Sequence, residues 1–541
     1  MNRLIQQTRK LFLSAQGGMF SSALILGFMI IVSRIFGFIR YRALAGYFNK
    51  DQLDIFFASF RIPDLVFELL ITGALTSSLI PIYIKYQKNE KERREVTYSI
   101  FNFLSVILIV LILILLPFLH ILIPFITPGF SGEKLSEIVY FSRILLLGQL
   151  PFLVLGNFFT GVAQARKLFL ATAIPPIIYN LSVIIATFLF ASRFGLTAPI
   201  VGINIGAALF AVIQLPAIWD EIINWRPIFV FHEGVKEFFT IIGPRLLTIL
   251  VSQIDATIDL TLTTLLGSGA YTIFYFAQHL QLLPVSVIGM AFGQASLPYL
   301  TEMVESKKDE DFSRIITESL LNIFFLTLPI SVYFIFSRTP LVRLFFGGEK
   351  FDWDATVQTA FLLSYFSISM PFHAAYYFLT RCFYALLDSK TPFVNSIIGV
   401  GLNTVFSLIF VLVFKLPVWS LGISFSLAIT IQVFILFALL RKKTPIKVLP
   451  FILSLSKIAV AAIVSAPIPY VVIKLLDNLL LDTTRTINIV LLLAVSCLIY
   501  FLLYLFVSWL IGVSELYIIT NLLIKTKDYK KKIIEINTSY D

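Results

Sequence analysis

Long apolar runs separated by short polar stretches set the pattern of this chain. A run of about twenty mainly apolar residues is what an α-helix needs to cross a bilayer core. By that rule about fourteen segments qualify as spans. They are 19–44, 54–84, 98–126, 137–164, 168–192, 199–219, 237–266, 271–302, 314–337, 355–386, 390–414, 417–440, 449–475 and 486–513. Several are longer than one crossing requires and contain Gly37, Pro63, Pro284 or Pro371. Such helices are expected to tilt or kink, with the freed backbone groups facing protein or water.

Composition agrees: 58% of the 541 residues are hydrophobic and only 13% are charged, which excludes a soluble globular protein. The fold class expected is an all-α polytopic membrane protein. A net charge of +11 is compatible with nucleic acid, but the Lys and Arg residues are spread over short inter-span stretches, which suits an anionic lipid surface better. An even number of spans puts both termini on one side. Cations gather after the second, fourth, eighth and twelfth spans (Lys85 to Arg94, Arg166–Lys167, Lys307 to Arg314, Arg441 to Lys447) and in the tail, so both termini are expected in the cytoplasm. The opposite connections hold little beyond Lys134, Arg193, Lys415 and Arg485, apart from Arg338, Arg343 and Lys350 after the ninth span. The first eighteen residues lack the pattern of a cleaved signal peptide. Cys382 and Cys497 both fall in apolar segments and are expected in the core.

The chain also looks doubled. GVAQARKLFLATAIPPIIYNLSVI after the fourth span and RCFYALLDSKTPFVNSIIGVGLNTVFSLI after the tenth share one plan. Each closes a helix, makes a polar turn, restarts with Pro and reaches an Asn (Asn180, Asn403), with a Gly (Gly202, Gly422) opening the next span. The organisation expected is a segment 1–18, a six-helix lobe 19–220, an interfacial amphipathic linker 221–236, a second six-helix lobe 237–440, two helices within 441–513 and a basic tail 514–541. The linker reads equally well as an ordinary loop. Transporters place their binding sites between such repeats.

Ionisable side chains at mid-membrane cost roughly 2.5–3.5 kcal/mol even on lenient scales, so those in the spans need a reason. The first span carries Arg34, Arg40 and Arg42, and the second carries Asp54, Arg61, Asp64 and Glu68. On an ideal helix Asp54, Arg61 and Glu68 share one face, subject to Pro63. Later spans add Arg245, Asp255, Asp259, His279, Arg381 and Asp388. Embedded arginines suit an anionic, multidentate group such as pyrophosphate, because guanidinium presents planar paired donors and stays charged. The competing reading pairs them with the nearby acids or lets them snorkel. His279 is a candidate ligand contact or an ordinary hydrogen-bonded histidine. No phosphate-binding loop, nucleophile elbow or metal-spaced His/Cys set occurs, so neither an enzyme nor a required cofactor is expected.

At the level of motifs the chain resembles a known family. SRIFGFIR (33–40), DIFFASFRIPDLVFELLITGALTSSLIPIY (54–83), SQIDATIDL (252–260), YFAQHLQLLPVSVIGMAFGQASLP (275–298) and FYALLDSKTP (383–392) are similar to the MurJ/MviN lipid II flippases of the multidrug/oligosaccharidyl-lipid/polysaccharide exporter superfamily. The resemblance implies two six-helix lobes in a V, and two C-terminal helices that form a groove for a polyprenyl tail. It also implies alternating-access transport of lipid II across the bacterial cytoplasmic membrane for peptidoglycan synthesis, with cell-wall synthesis enzymes as further candidate partners. Arg34 and Arg40 match the family's first-span arginines, Arg40 taking the pyrophosphate, and Asp54 matches its second-span acid. Asp259, Asp388 and Thr404, with the Val400 carbonyl, match a sodium site, and hard oxygen ligands suit such an ion. Asp388 reads equally as the cap of the next helix. The chain departs from the family at Tyr41, Phe67, Thr72, Gln278, His279 and Tyr384, where charged or amide residues are usual, and Arg42 and Arg61 are candidate substitutes. Rival readings are a flippase for another polyprenyl-linked glycan, a cation-coupled drug exporter, and a scaffold that binds the precursor without moving it.

Overall fold

The computed structural model describes residues 19–72, 78–306 and 309–517, and every regular element among them is helical. The expected segment 1–18, nearly all of the basic tail, Lys307 and Lys308, and the side chain of Arg245 lie outside what is described. In chain order the first helices are α1 (Met19–Tyr47), α2 (Lys50–Ser59), α3 (Arg61–Phe67), α4 (Ile80–Lys85), α5 (Glu90–Ile126), α6 (Gly132–Ile144) and α7 (Leu150–Ala165). There follow α8 (Pro175–Phe194), α9 (Thr197–Val212), α10 (Trp219–Ile223), α11 (Glu233–Leu265), α12 (Ala270–Val285), α13 (Ala291–Glu305) and α14 (Asp309–Phe336). The last seven are α15 (Arg338–Phe346), α16 (Trp353–Ala385), α17 (Lys390–Leu408), α18 (Trp419–Lys443), α19 (Val448–Val464), α20 (Pro467–Leu475) and α21 (Thr486–Ile511).

Eleven helices among the described residues are long and apolar enough to cross a membrane, which makes this a multi-pass membrane protein. The expected spans outside that set are 19–44, 54–84 and 355–386. α16 shows how such a helix can still form. Leu362, Leu363, Phe366, Met370, Ala374, Phe378 and Cys382 are all fully buried, so its neighbours are largely protein and its serines and histidine need not face lipid. It runs on through Pro371 as one helix, Trp353–Ala385.

Local chemistry sets several helix ends. Asn49 opens α2 with a reciprocal capping box, its side chain accepting from the Gln52 N–H at 2.9 Å while the Gln52 side chain accepts from the Asn49 N–H at 3.2 Å. α5 is capped by Asn89, carries Glu90 and Glu92 in its first turn, and at 37 residues is about 55 Å long, well beyond one crossing. The second span is not one helix. It breaks at Phe60, restarts with Pro63 in the first turn of α3, and widens into a π-helical turn at Glu68–Thr72.

The chain divides into two compact units. The first holds the described residues up to Ile273 together with Phe345–Ala355, and the second holds Phe274–Leu344 and the residues from Thr356 onward. α11 therefore packs with the helices that precede it. Within the second unit a continuous core is built on α14, α16, α18 and α19, with Cys382 inside it and Cys497 half-buried elsewhere.

In place of the expected amphipathic linker there is the short α10 and then an extended strap over residues 225–232 lying on α5. Asn102 on α5 donates to the Arg226 and Ile228 carbonyls at 3.1 and 2.8 Å and accepts from the Trp225 indole at 3.1 Å, while Ser99 accepts from the Val230 N–H at 3.1 Å. Pro227 explains the choice, since it has no N–H and disfavours a helical residue before it.

Candidate functional site

The embedded charges of the second span meet partners that are distant in sequence. Arg61, buried near the start of α3, donates from Nε to the Thr257 hydroxyl at 3.0 Å and from one terminal nitrogen to the Gln253 carbonyl and side-chain oxygens at 2.6 and 2.8 Å. These bonds fasten α3 to the middle of α11 and use three of the five guanidinium donors, leaving the second terminal nitrogen for other contacts. Asp64, one turn on, has an exposed side chain. It lies within electrostatic reach of Arg61, Glu68 and Arg40. Arg40, half-buried on α1, also lies over the Tyr41 ring at 4.6 Å and is felt by Tyr179 on α8. In the first unit Arg40 thus acts on both Asp64 and Tyr179, and Arg61 also acts on Asp64. Arg34 is exposed on the same helix and Arg42 is half-buried.

Asp54 is committed elsewhere, and this corrects its expected place beside the pyrophosphate. α12 begins after Gly269, a cap residue without a side-chain acceptor, and Asp54 supplies the missing acceptor from α2. Its carboxylate accepts from the Gly269 N–H at 2.7 Å, and from the Thr272 N–H and the Thr272 hydroxyl at 2.8 Å each. The Lys134 ammonium stands 3.1 Å from Asp54 and 2.9 Å from Asp51. Sequence reasoning noted Lys134 only as a cation in a connection otherwise poor in them, and its two acids explain its presence there. Lys50 beside this cluster pairs with Asp354 at 2.9 Å.

The proposed sodium ligands are not brought together as a set. Asp388 sits just before α17 and caps it, accepting from the Thr391 N–H at 2.9 Å and the Thr391 hydroxyl at 2.7 Å while also pairing with Lys443. The Lys443 hydrogen bond, with the Thr391 bonds helping, outweighs partial burial and holds the Asp388 carboxyl at about 2. Val400 and Thr404 lie twelve and sixteen residues further up the same helix, roughly 18 and 24 Å along its axis. No single ion reaches both ends of that separation, so Asp388 is a helix cap, the competing reading of the sequence. Asp259 is buried in α11. His279, on α12 in the second unit, contacts the Tyr275 carbonyl through Nδ1 at 2.8 Å and stacks on the Tyr275 ring at 3.9 Å. Among the described residues no group of three or more His, Cys, Asp or Glu is placed to hold a metal.

A second charged cluster went unnoticed in the sequence. Glu221 on α10, only 5% exposed, receives Arg166 at 2.6 Å, Arg93 at 3.0 Å and the Tyr83 hydroxyl at 2.9 Å, with the Tyr98 hydroxyl at 3.3 Å. Glu221 opens the stretch 221–236, and no local pattern relates it to Arg93 and Arg166. Burial alone would raise its pKa, but the Arg93 and Arg166 guanidiniums hold the carboxyl below its ordinary value of 4.5. Its stabilisation is therefore complete above that value and is lost as pH falls through the depressed one. Glu221→Ala should lower stability by about 3–5 kcal/mol near neutrality, since two arginines lose their buried counter-charge. Thermal unfolding in detergent should show the gap from wild type narrowing only below about pH 4.5; a gap that persisted unchanged into strong acid would contradict the assignment.

A helical membrane bundle with guanidinium and carboxylate groups enclosed in its interior has the make-up of a transporter. The family model described as lipid II flippase MurJ matches residues 45–491, and the chain belongs to that family. It is 28% identical over 391 residues to the probable lipid II flippase MurJ of Rickettsia prowazekii, covering 71% of this chain and 77% of that one. The corresponding protein of Borreliella burgdorferi is 25% identical over 437 residues, covering 79% of this chain and 84% of the relative. Among solved structures, a lipid II flippase MurJ in an inward closed conformation superposes with a TM-score of 0.73 at 24% identity, covering 90% of this chain and 98% of that one. An inward-facing multidrug resistance MATE transporter of the MOP superfamily has the same fold, with a TM-score of 0.65 at 13% identity over 76% of this chain and 94% of the other.

Proposed function

We infer that this chain carries lipid II, the polyprenyl-pyrophosphate-linked peptidoglycan precursor, from the inner to the outer leaflet of the bacterial cytoplasmic membrane. The family match over residues 45–491 carries this reading. The Arg40–Asp64–Tyr179 group gives it a chemical basis. In the absence of substrate, Asp64 moderates the charge of Arg40; an arriving pyrophosphate offers paired oxygens that compete with Asp64 for the guanidinium. Arg61, fixed to α11, keeps α3 in place while that exchange occurs. The headgroup would travel in the hydrated interior while the polyprenyl tail stays in lipid, and rocking of two lobes would expose the head outside.

In this reading the chain crosses the membrane fourteen times, with both termini cytoplasmic. The polar spans α1, α2–α4 and α16 complete the eleven apolar ones, as charged helices facing a cavity would. The doubled plan of the lobes draws support from two helix ends. Lys167 and Leu387 both take the left-handed conformation, with φ of 62° and 57°. Around each lies the same bond pair, Lys167 N–H to Gln164 and Leu168 N–H to Ala163, then Leu387 N–H to Tyr384 and Asp388 N–H to Phe383. The membrane potential, worth about 2.3 kcal/mol per charge per 100 mV, is the driving force we favour, with sodium acting at Asp259 as the alternative. Transport that stops when sodium is replaced by potassium would decide for the ion.

The arginine-bearing interior favours an anionic polyprenyl-linked head over the cations of a drug exporter. The test is growth of a bacterium whose own lipid II flippase has been switched off. Expression of this chain should restore colony formation to near that of the unrepressed strain. A well-inserted protein that gave no rescue would shift the substrate to another polyprenyl-linked glycan.

A further inference from the structure

α18 ends on three consecutive cations, Arg441, Lys442 and Lys443. Lys443 is held by Asp388. Arg441 and Lys442 are exposed and have no hydrogen bond or ion pair with any described residue. Cations in a last helical turn complement the helix dipole, and that would suffice if they stood on bare surface. They stand instead on the rim of a half-open cavity of about 660 Å3 lined by α14, α16, α18 and α19. Its walls are otherwise apolar, with Phe324, Phe372, Phe437, Phe451 and Leu455 among the lining residues.

A deep apolar cavity with two uncompensated cations at its mouth is complementary to an amphiphile with a long hydrocarbon chain and an anionic head. We propose that this cavity in the second unit binds an anionic diacyl glycerophospholipid of the cytoplasmic leaflet, its phosphate between Arg441 and Lys442 and one acyl chain among the phenylalanines. The placement rests on the orientation proposed above, in which the end of α18 faces the cytoplasm. The cavity takes no residue from α21, so it is not a groove made by the last two spans, and the pyrophosphate site assigned to Arg40 belongs to the other unit. Bound there, the lipid would fill the space between α18 and α19 and hold the inner half of these helices together. A zwitterionic lipid would gain the apolar contacts but less from the cations.

The experiment uses purified full-length protein in detergent, titrated with phosphatidylglycerol or phosphatidylcholine, reading retained lipid by native mass spectrometry and thermal stability alongside. Wild type should retain phosphatidylglycerol in preference and be stabilised by it. Arg441→Gln with Lys442→Gln should weaken that retention roughly tenfold to thirtyfold, as expected for two cations at a membrane surface. Ala438→Trp, which fills the mouth from an exposed lining position, should abolish it with both charges intact. Equal retention of the two lipids, or full retention by the filled variant, would overturn the proposal. So would displacement of phosphatidylglycerol by a polyprenyl phosphate at lower concentration, which would give the cavity to the transported lipid's tail. Binding is read without transport, so failure here is separable from failure of the rescue experiment.

Discussion

Arg40→Ala should insert normally and fail to restore growth in the depleted strain, a loss of at least a hundredfold in transport. Arg40 lies within electrostatic reach of Asp64 and of Tyr179 in the first unit, with the Tyr41 ring beneath it. Charge-assisted bonds to a phosphate are roughly twice as strong as neutral ones, and a guanidinium makes them in pairs. Removing about 3 kcal/mol of such binding is a factor of roughly 150. Arg40→Lys retains the charge without the paired geometry and should fall between the two. Arg61→Ala should differ in kind: it releases α3 from Gln253 and Thr257, so it should reduce thermal stability together with transport. Wild-type rescue by a well-expressed Arg40→Ala would remove Arg40 from the pyrophosphate site.

The contrast between these two arginines shows where the sequence stops being informative. Both are embedded and both suit an anion, and the difference lies in Gln253 and Thr257, nearly two hundred residues away from Arg61, which no local pattern relates to it. The face shared by Asp54 and Arg61 was legible from their spacing, and both residues do turn toward α11 and the turn that follows it, although the helix between them breaks. Their roles were not legible, because the stripe meets a helix side at one level and a helix start at another. Apolar spans such as α5 and α21 could be read directly, since lipid demands continuous hydrophobicity. The linker 221–236 could not, because a short amphipathic pattern does not reveal that Asn102 and Ser99 offer the backbone an extended path. Asp388 illustrates the opposite case. The Asp-Ser-Lys-Thr-Pro run states a helix cap in local terms, and the structure forms it; the sodium role came with the family resemblance, and the length of α17 separates the ligands it would need.

Asp54→Ala should cost about 3–5 kcal/mol of stability, the range for removing one partner of a buried charge pair. The side chain is fully buried, and its loss leaves the Gly269 and Thr272 N–H groups at the start of α12 without their acceptor and leaves the Lys134 ammonium with Asp51 alone. Asp54→Asn should cost less, because an amide oxygen still accepts from the helix start, though it gives up the charge facing Lys134. Lys134→Met isolates the other half of the pair: Asp54 keeps its three helix donors but loses its counter-ion, and Lys134 also leaves the Phe130 ring that it overlies at 3.9 Å. The decisive quantity is the coupling between the two sites. If Asp54 and Lys134 stabilise the start of α12 as a unit, the double variant should be less impaired than the sum of the single ones by about 1–3 kcal/mol in thermal or chemical unfolding in detergent. Strict additivity would mean that the ammonium is only a solvated neighbour and that Asp54 acts through its cap alone. A coupling of the expected size would identify Lys134 as the reason a buried carboxylate is tolerated at this helix start.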